Sequence, residues 1–158
     1  MANNLKVSVD GSFVDADHIY GAVIIQNQST KQIATYLVKC KNKELADSRN
    51  VYGEVAAAAL AVLIMEAAVE EDPETRITFI YDYIGIKKWA TGEWSANKPI
   101  SKYYKALWKA KEKIMPNVTF IHQKGHSGIT DENSYLNDLA DQIAGLRLKP
   151  DFETDAIF

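Results

Sequence analysis

Apolar and polar residues alternate from Leu5 to Phe13 (LKVSVDGSF), a period of two that predicts a half-buried strand. Leu5, Val7 and Val9 fall on one face, Lys6, Ser8 and Asp10 on the other. His18–Asn27 and Gln32–Lys39 also have strand character, and the turn-like VDAD and QSTK between the runs predict an antiparallel meander. The pattern then changes. From about Asp47–Asn50 an alanine- and leucine-rich helix runs through GEVAAAALAVLIMEAAVEE and stops at Pro73. RITFIYDY is almost continuously apolar, like a strand covered on both faces. Helical GIKKWATGEW and PISKYYKALWKAKEKI follow, the second opened by Pro99. A fifth strand, NVTFIHQ, and a final helix over roughly Glu132–Leu146 complete the series. The order βββ-α-β-αα-β-α predicts an α/β fold with a mixed five-stranded sheet and helices on its faces.

A chain of 158 residues suits one domain; residues 1–146 are expected to form it, with 147–158 a loosely held tail. The composition, 47% hydrophobic and 25% charged, is that of an ordinary globular protein. Cys40 is the one cysteine, which excludes an internal disulfide and suits a reducing compartment. The opening MANNLKVSVDG lacks the apolar run of a signal peptide, and VAAAALAVLIM (Val55–Met65) is short for a bilayer span. A cytoplasmic protein with no membrane partner is the expectation. Charge changes the picture more. The net charge is −3, yet nine lysines against Glu93 and Glu112 leave the stretch Lys87–Lys124 at +7 and the remainder at −10. Such asymmetry suits a polyanionic partner. A solvated helix face is the competing explanation, because Lys102, Lys105, Lys109 and Lys113 recur at helical spacing.

Asp10 and Gly11 interrupt a strand, and such a pair ordinarily just starts a turn. Open parallel sheets, however, place ligands beyond the carboxyl ends of their strands. Asp10, late in the first strand, and Asp82, ending the fourth, hold comparable positions. If those strands are neighbours, two like charges face each other, and a divalent cation resolves the conflict; an all-oxygen site suits Mg²⁺. Glu54 lies in the first turn of the long helix, three residues on from Val51 and so towards the sheet, although the helix dipole alone favours an acid there. In NDLADQIAG, Asp141 sits among Leu139, Ala140, Ile143 and Ala144, whereas Asp138 reads as a solvated first-turn acid. His126 stands upstream in the glycine-flanked KGHSG, where a histidine is ordinarily polar surface.

Taken together these residues resemble ribonuclease H of type 1, over roughly Lys6 to Gly145. DGS on the first strand, RNVYGE opening the first helix, FIYD on the fourth strand and KGHSG…NDLAD match that family's motifs in order and spacing. YDYIGIKKWATGEWSANK is similar to the segment found in members whose ribonuclease H domain follows a viroplasmin-like, hybrid-binding module. The resemblance implies the ribonuclease H-like fold and an endoribonuclease that hydrolyses the RNA strand of RNA–DNA hybrids, leaving 5′-phosphate and 3′-hydroxyl ends. It implies that Asp10, Glu54, Asp82 and Asp141 hold two Mg²⁺ ions, for which Mn²⁺ can substitute, and that His126 moves protons or helps product leave. It implies substrate contacts from Gly11, Ser12, Asn50, Trp89, Trp94 and Lys98. Asn50 would read the 2′-hydroxyl in the hybrid's minor groove, a helix-cap role being its competitor. The tryptophans would meet the DNA strand. The expected partner is the hybrid alone, bound by a monomer.

The chain departs from the commoner bacterial pattern at FVDADHIYG, at Tyr83 and Ile84, in a short Trp89–Pro99 segment and in a longer His126–Asp141 spacing. Weaker substrate binding is therefore expected. Two other functions compete. One is a hybrid-binding domain without activity, against which four acids beside phosphates argue. The other is a different metal nuclease of the same superfamily, a class that generally lacks KGHSG and the DGS-bearing meander.

Overall fold

The computed structural model describes residues 3–124 and 131–154. Strands β1 (Asn4–Asp15), β2 (His18–Asn27) and β3 (Ile33–Lys39) form the expected meander, with Val9 opposite Val23 and Gly11 opposite Gly21. A 3₁₀ turn (Lys43–Ser48) leads into helix α1 (Asn50–Glu71), which returns the chain to β4 (Arg76–Tyr81), parallel to β1. Helices α2 (Gly85–Thr91) and α3 (Pro99–Ala110) and a second 3₁₀ turn (Glu112–Asn117) precede β5 (Val118–His122), parallel to β4. The chain continues into α4 (Glu132–Leu146) and β6 (Phe152–Glu153).

The sheet order is β5-β4-β1-β2-β3-β6, so six strands are present where five were expected. The added strand is β6, which pairs in parallel with the far edge of β3. Residues 151–154 are accordingly docked rather than loose. Asp151 exchanges two hydrogen bonds with Leu37, its N–H donating to the carbonyl at 2.8 Å and its Oδ2 accepting at 2.9 Å. Thr154 is fully buried. A two-residue strand has no period to detect, and its pairing is decided by a distant edge.

A second correction concerns β1. The alternation predicted one wet face, but Ser8 is fully buried and Asp10 only 8% exposed. Helix α1 packs on the side of Val7 and Val9, within the main core. Helix α4 covers the other side, where Leu136 and Ala140 join Ile24 and Ile80 in a smaller core. Polar residues of β1 answer polar residues of α4. Lys6 Nζ donates to Asn133 Oδ1 at 2.7 Å and pairs with Glu132 at 3.0 Å, and Asp10 meets Asp141 further along. Four strand residues and eight helix residues each span roughly 12–13 Å, so strand and helix keep pace between these two contacts.

α1 is long and apolar enough to cross a membrane by length and composition, yet most of it is buried here against the sheet and α3. Its alanines, Ala56 to Ala59 and Ala61, permit close approach, while Tyr52, Val55, Leu60 and Met65 fill the volume. The first turn comes closest. A Cβ on Gly21 would strike the Gly53 carbonyl oxygen, and one on Gly53 would strike that of Tyr20. Two glycines thus seat α1 on the backbone of the β1–β2 hairpin, beside Gly11 and Ser12.

Candidate active site

β1 and β4 share a constant register that ends with Ser8 opposite Ile80; continued two residues, it sets Asp10 level with Asp82. Glu54 arrives from above, because Gly53 lets the first turn of α1 settle on Gly11. Asp141 arrives from α4 on the other face. All four acids named from the sequence therefore come to one end of the sheet.

Their electrostatics follow from burial. Asp10 is pushed up from 3.8 to about 6, first by burial, with the nearby Asp141 charge adding to the rise. Glu54 Oε–H and the Gly11 N–H, 2.9 Å from Asp10 Oδ1, partly offset this by donating to Asp10. Glu54 lies well above the ordinary carboxyl range, again chiefly through burial, then through Asp10 and the charge of Asp82. Glu54 to Asp10 to Asp141 is thus a chain of acids within hydrogen-bonding reach, with Asp82 acting on Glu54 at longer range. Glu54 Oε2 is buried without a hydrogen-bond partner. Among the described residues no three His, Cys, Asp or Glu side chains close into a ready ligand set. The contacts are pairwise, and Asp82 stands furthest out.

Glu54 and Asp82 line a cleft of about 490 Å³ together with Val51, Tyr83, Ile84, His122 and Lys124. Val51 and Tyr83 also belong to a larger neighbouring cleft of about 550 Å³, where Trp89, Trp94 and Lys98 contribute to the wall. Trp89 packs on Tyr83 and Trp94, with ring centroids 5.7 and 5.8 Å away. Both tryptophans are half-buried, so each serves core and cleft at once. Lys98 is exposed at the start of α3. Gly11 and Ser12 are half-buried under the first turn of α1. Asn50 is the first residue of α1, and the cap position belongs to Arg49, at φ 51°. His126 lies outside the described residues.

The lysines divide. Lys98 and Lys124 line the two clefts. Lys88 pairs with Glu93 at 3.0 Å, Lys111 pairs with Glu66 at 3.0 Å, and Lys105 donates to the Trp94 carbonyl at 3.3 Å. Lys102, Lys109 and Lys113 are exposed, as a solvated face requires.

Sequence reasoning missed three contributors. Gly21 and Gly53 admit Glu54 to the site, signalled only by the glycine before it in RNVYGE. His122 was read simply as a strand residue; its ring nitrogen lies 2.7 Å from the Asp82 carbonyl oxygen.

Solved structures match this fold along nearly the whole chain. Ribonuclease H1 from the halophilic archaeon Halobacterium salinarum NRC-1 is 17% identical, with 90% of this chain and 95% of that one covered at a TM-score of 0.62. This is the ribonuclease H fold. LC11-ribonuclease H1, solved in complex with an RNA/DNA hybrid, is 14% identical over 92% of this chain and 99% of its own, at a TM-score of 0.59. The prototype foamy virus protease–reverse transcriptase is 19% identical over 91% of this chain and 20% of its own, at a TM-score of 0.62. No protein-family model and no curated protein matches the chain. In this ribonuclease H fold Asp10 and Asp82 lie just beyond the end of the β1–β4 ladder, with Glu54 reaching them from α1 and Asp141 from α4.

Proposed function

We propose that this chain is a divalent-metal-dependent endoribonuclease that hydrolyses the RNA strand of RNA–DNA hybrids, leaving 5′-phosphate and 3′-hydroxyl ends. The observation that carries the reading is the buried chain of acids Glu54–Asp10–Asp141, whose Glu54 lines a cleft with Asp82 and Lys124, next to a second cleft walled by Trp89, Trp94 and Lys98. A site made only to bind phosphates gains nothing from massed carboxylates. A site for hard cations needs them.

The donors fit such cations. All are carboxylate oxygens, Glu54 Oε2 lacks a partner, and the burial that chiefly raises Asp10 and Glu54, with the like charge around them, is what a divalent ion offsets. Asp10, Glu54, Asp82 and Asp141 would hold Mg²⁺ or Mn²⁺. Bound there, the ions supply an activated water and neutralise charge on the leaving 3′-oxygen. The protein's own residues orient the duplex and limit water. Trp89 and Trp94 offer flat apolar surface to the DNA strand, Lys98 and Lys124 meet phosphates, and Asn50 reads a ribose hydroxyl. His126 would move protons or help product leave, so its removal should slow turnover without ending it.

The segment from Tyr81 to Lys98 belongs, in this reading, to the type found after viroplasmin-like modules, and the chain acts as a monomer on hybrids that it holds weakly alone. Labelled RNA–DNA hybrid, duplex RNA and duplex DNA, each with and without Mg²⁺, test the proposal. Cleavage of the hybrid alone, and only with metal, is expected. Equal cutting of duplex DNA points to another nuclease of the fold, and hybrid binding without cutting points to a non-enzymatic domain.

A further inference from the structure

The parallel ladder between β4 and β5 ends with Tyr81 opposite His122, and the Gln123 N–H continues it onto the Tyr81 carbonyl at 2.8 Å. On the other side β4 last pairs with β1 at Ile80. Asp82 thus lies one residue past one ladder and two past the other, where the chain bends towards α2. A side chain reaches it there. His122 Nε2 is 2.7 Å from the Asp82 carbonyl oxygen. A carbonyl only accepts, so the nitrogen facing it carries the hydrogen and Nδ1 of the neutral ring does not. The Tyr81 ring braces the imidazole, with centroids 5.4 Å apart. His122, Asp82 and Glu54 line the same cleft.

We infer that His122 is a positioning residue for Asp82, anchoring its backbone where the sheet no longer does. The inference rests on the ribonuclease reading above. The charge of Asp82 acts on Glu54, so the two acids crowd one another at this end of the sheet. A ligating oxygen tolerates displacement of only about half an ångström, so its backbone must be held. The contact is to the main chain of Asp82 and so does not occupy its carboxylate oxygens.

Two variants test this. His122→Phe keeps a ring against Tyr81 and loses the donor; His122→Gln keeps an N–H at similar reach. Mn²⁺ affinity is measured by calorimetry, and hybrid cleavage is followed alongside it. The expected result for His122→Phe is about tenfold weaker Mn²⁺ binding and about tenfold lower kcat, with KM and the Tm in chelator unchanged. His122→Gln is expected to stay within about threefold of the parent protein on both readouts. Unchanged Mn²⁺ affinity in His122→Phe, a loss that follows a fall in Tm, or a glutamine variant as poor as the phenylalanine one overturns the assignment. If the parent protein leaves hybrids intact while Mn²⁺ affinity still falls in His122→Phe, the ribonuclease reading fails and the positioning role stands. If it cuts hybrids and His122→Phe binds and cuts equally well, the positioning role fails alone.

Discussion

Gly21 of β2 and Gly53 of α1 meet backbone to backbone, with no room for a methyl group on either. Gly53 immediately precedes Glu54, so this contact sets how deeply the acid sits over Asp10. An alanine at either position must push the helix outward. Gly21→Ala and Gly53→Ala are each expected to lose about 1–3 kcal/mol in denaturant unfolding. Hybrid cleavage should fall more steeply than stability, because the displaced turn carries a ligand. Wild-type activity in a clearly destabilised Gly53→Ala protein would show that the depth of Glu54 does not matter.

Asp10→Asn separates stability from activity. The amide removes a buried charge crowded by Asp141 but leaves the volume in place. Cleavage is expected to drop below detection, since a neutral amide is a poor partner for a divalent ion. The Tm in chelator at pH 7 should rise by a few degrees. Intact hybrid degradation by this variant would remove the basis of the proposed function.

The same burial gives a pH dependence. Asp10 titrates at about 6 in the folded chain against 3.8 ordinarily, so the folded state binds more protons between those values. Stability in chelator is therefore fully present below about 3.8 and lost as pH rises through about 6. Glu54, also raised, extends the loss upwards. Thermal scans in chelator should show a higher Tm at pH 5 than at pH 7. Adding Mg²⁺ should raise the Tm more at pH 7 than at pH 5, because cation and proton compete for the same oxygens. Equal metal stabilisation at both pH values would contradict the shared site.

Thr154 offers a test far from the acids. Its Oγ1 accepts from the Lys41 N–H at 2.6 Å and from the Tyr52 hydroxyl at 2.9 Å, and Tyr52 is one turn into the helix that bears Glu54. Thr154→Val keeps the shape and removes the acceptor of both hydrogen bonds. A loss of about 1–3 kcal/mol in chemical unfolding is expected.

Much of this architecture was readable from spacing. The long helix announced itself by an apolar run bounded by Asp47–Asn50 and Pro73, and β4 by an apolar stretch too short for a helix. Asp10 and Asp82 could be paired because each sits near the carboxyl end of its strand, a position set locally. The burial of Ser8 could not be foreseen, since α4, which covers it, begins more than a hundred residues later. Nor could the reach of His122 to Asp82, which depends on how β5 registers on β4. Trp89 and Trp94 could be placed near substrate only by resemblance; their spacing fits core packing equally well, and the two rings pack on each other while lining a cleft.

Tyr52 and Thr154 are 102 residues apart in sequence, yet their hydroxyls bond directly. The front of α1 acquires that tether only once residue 154 has left the ribosome. Until then a nascent chain must hold the turn that bears Glu54 through its glycine contact with β2.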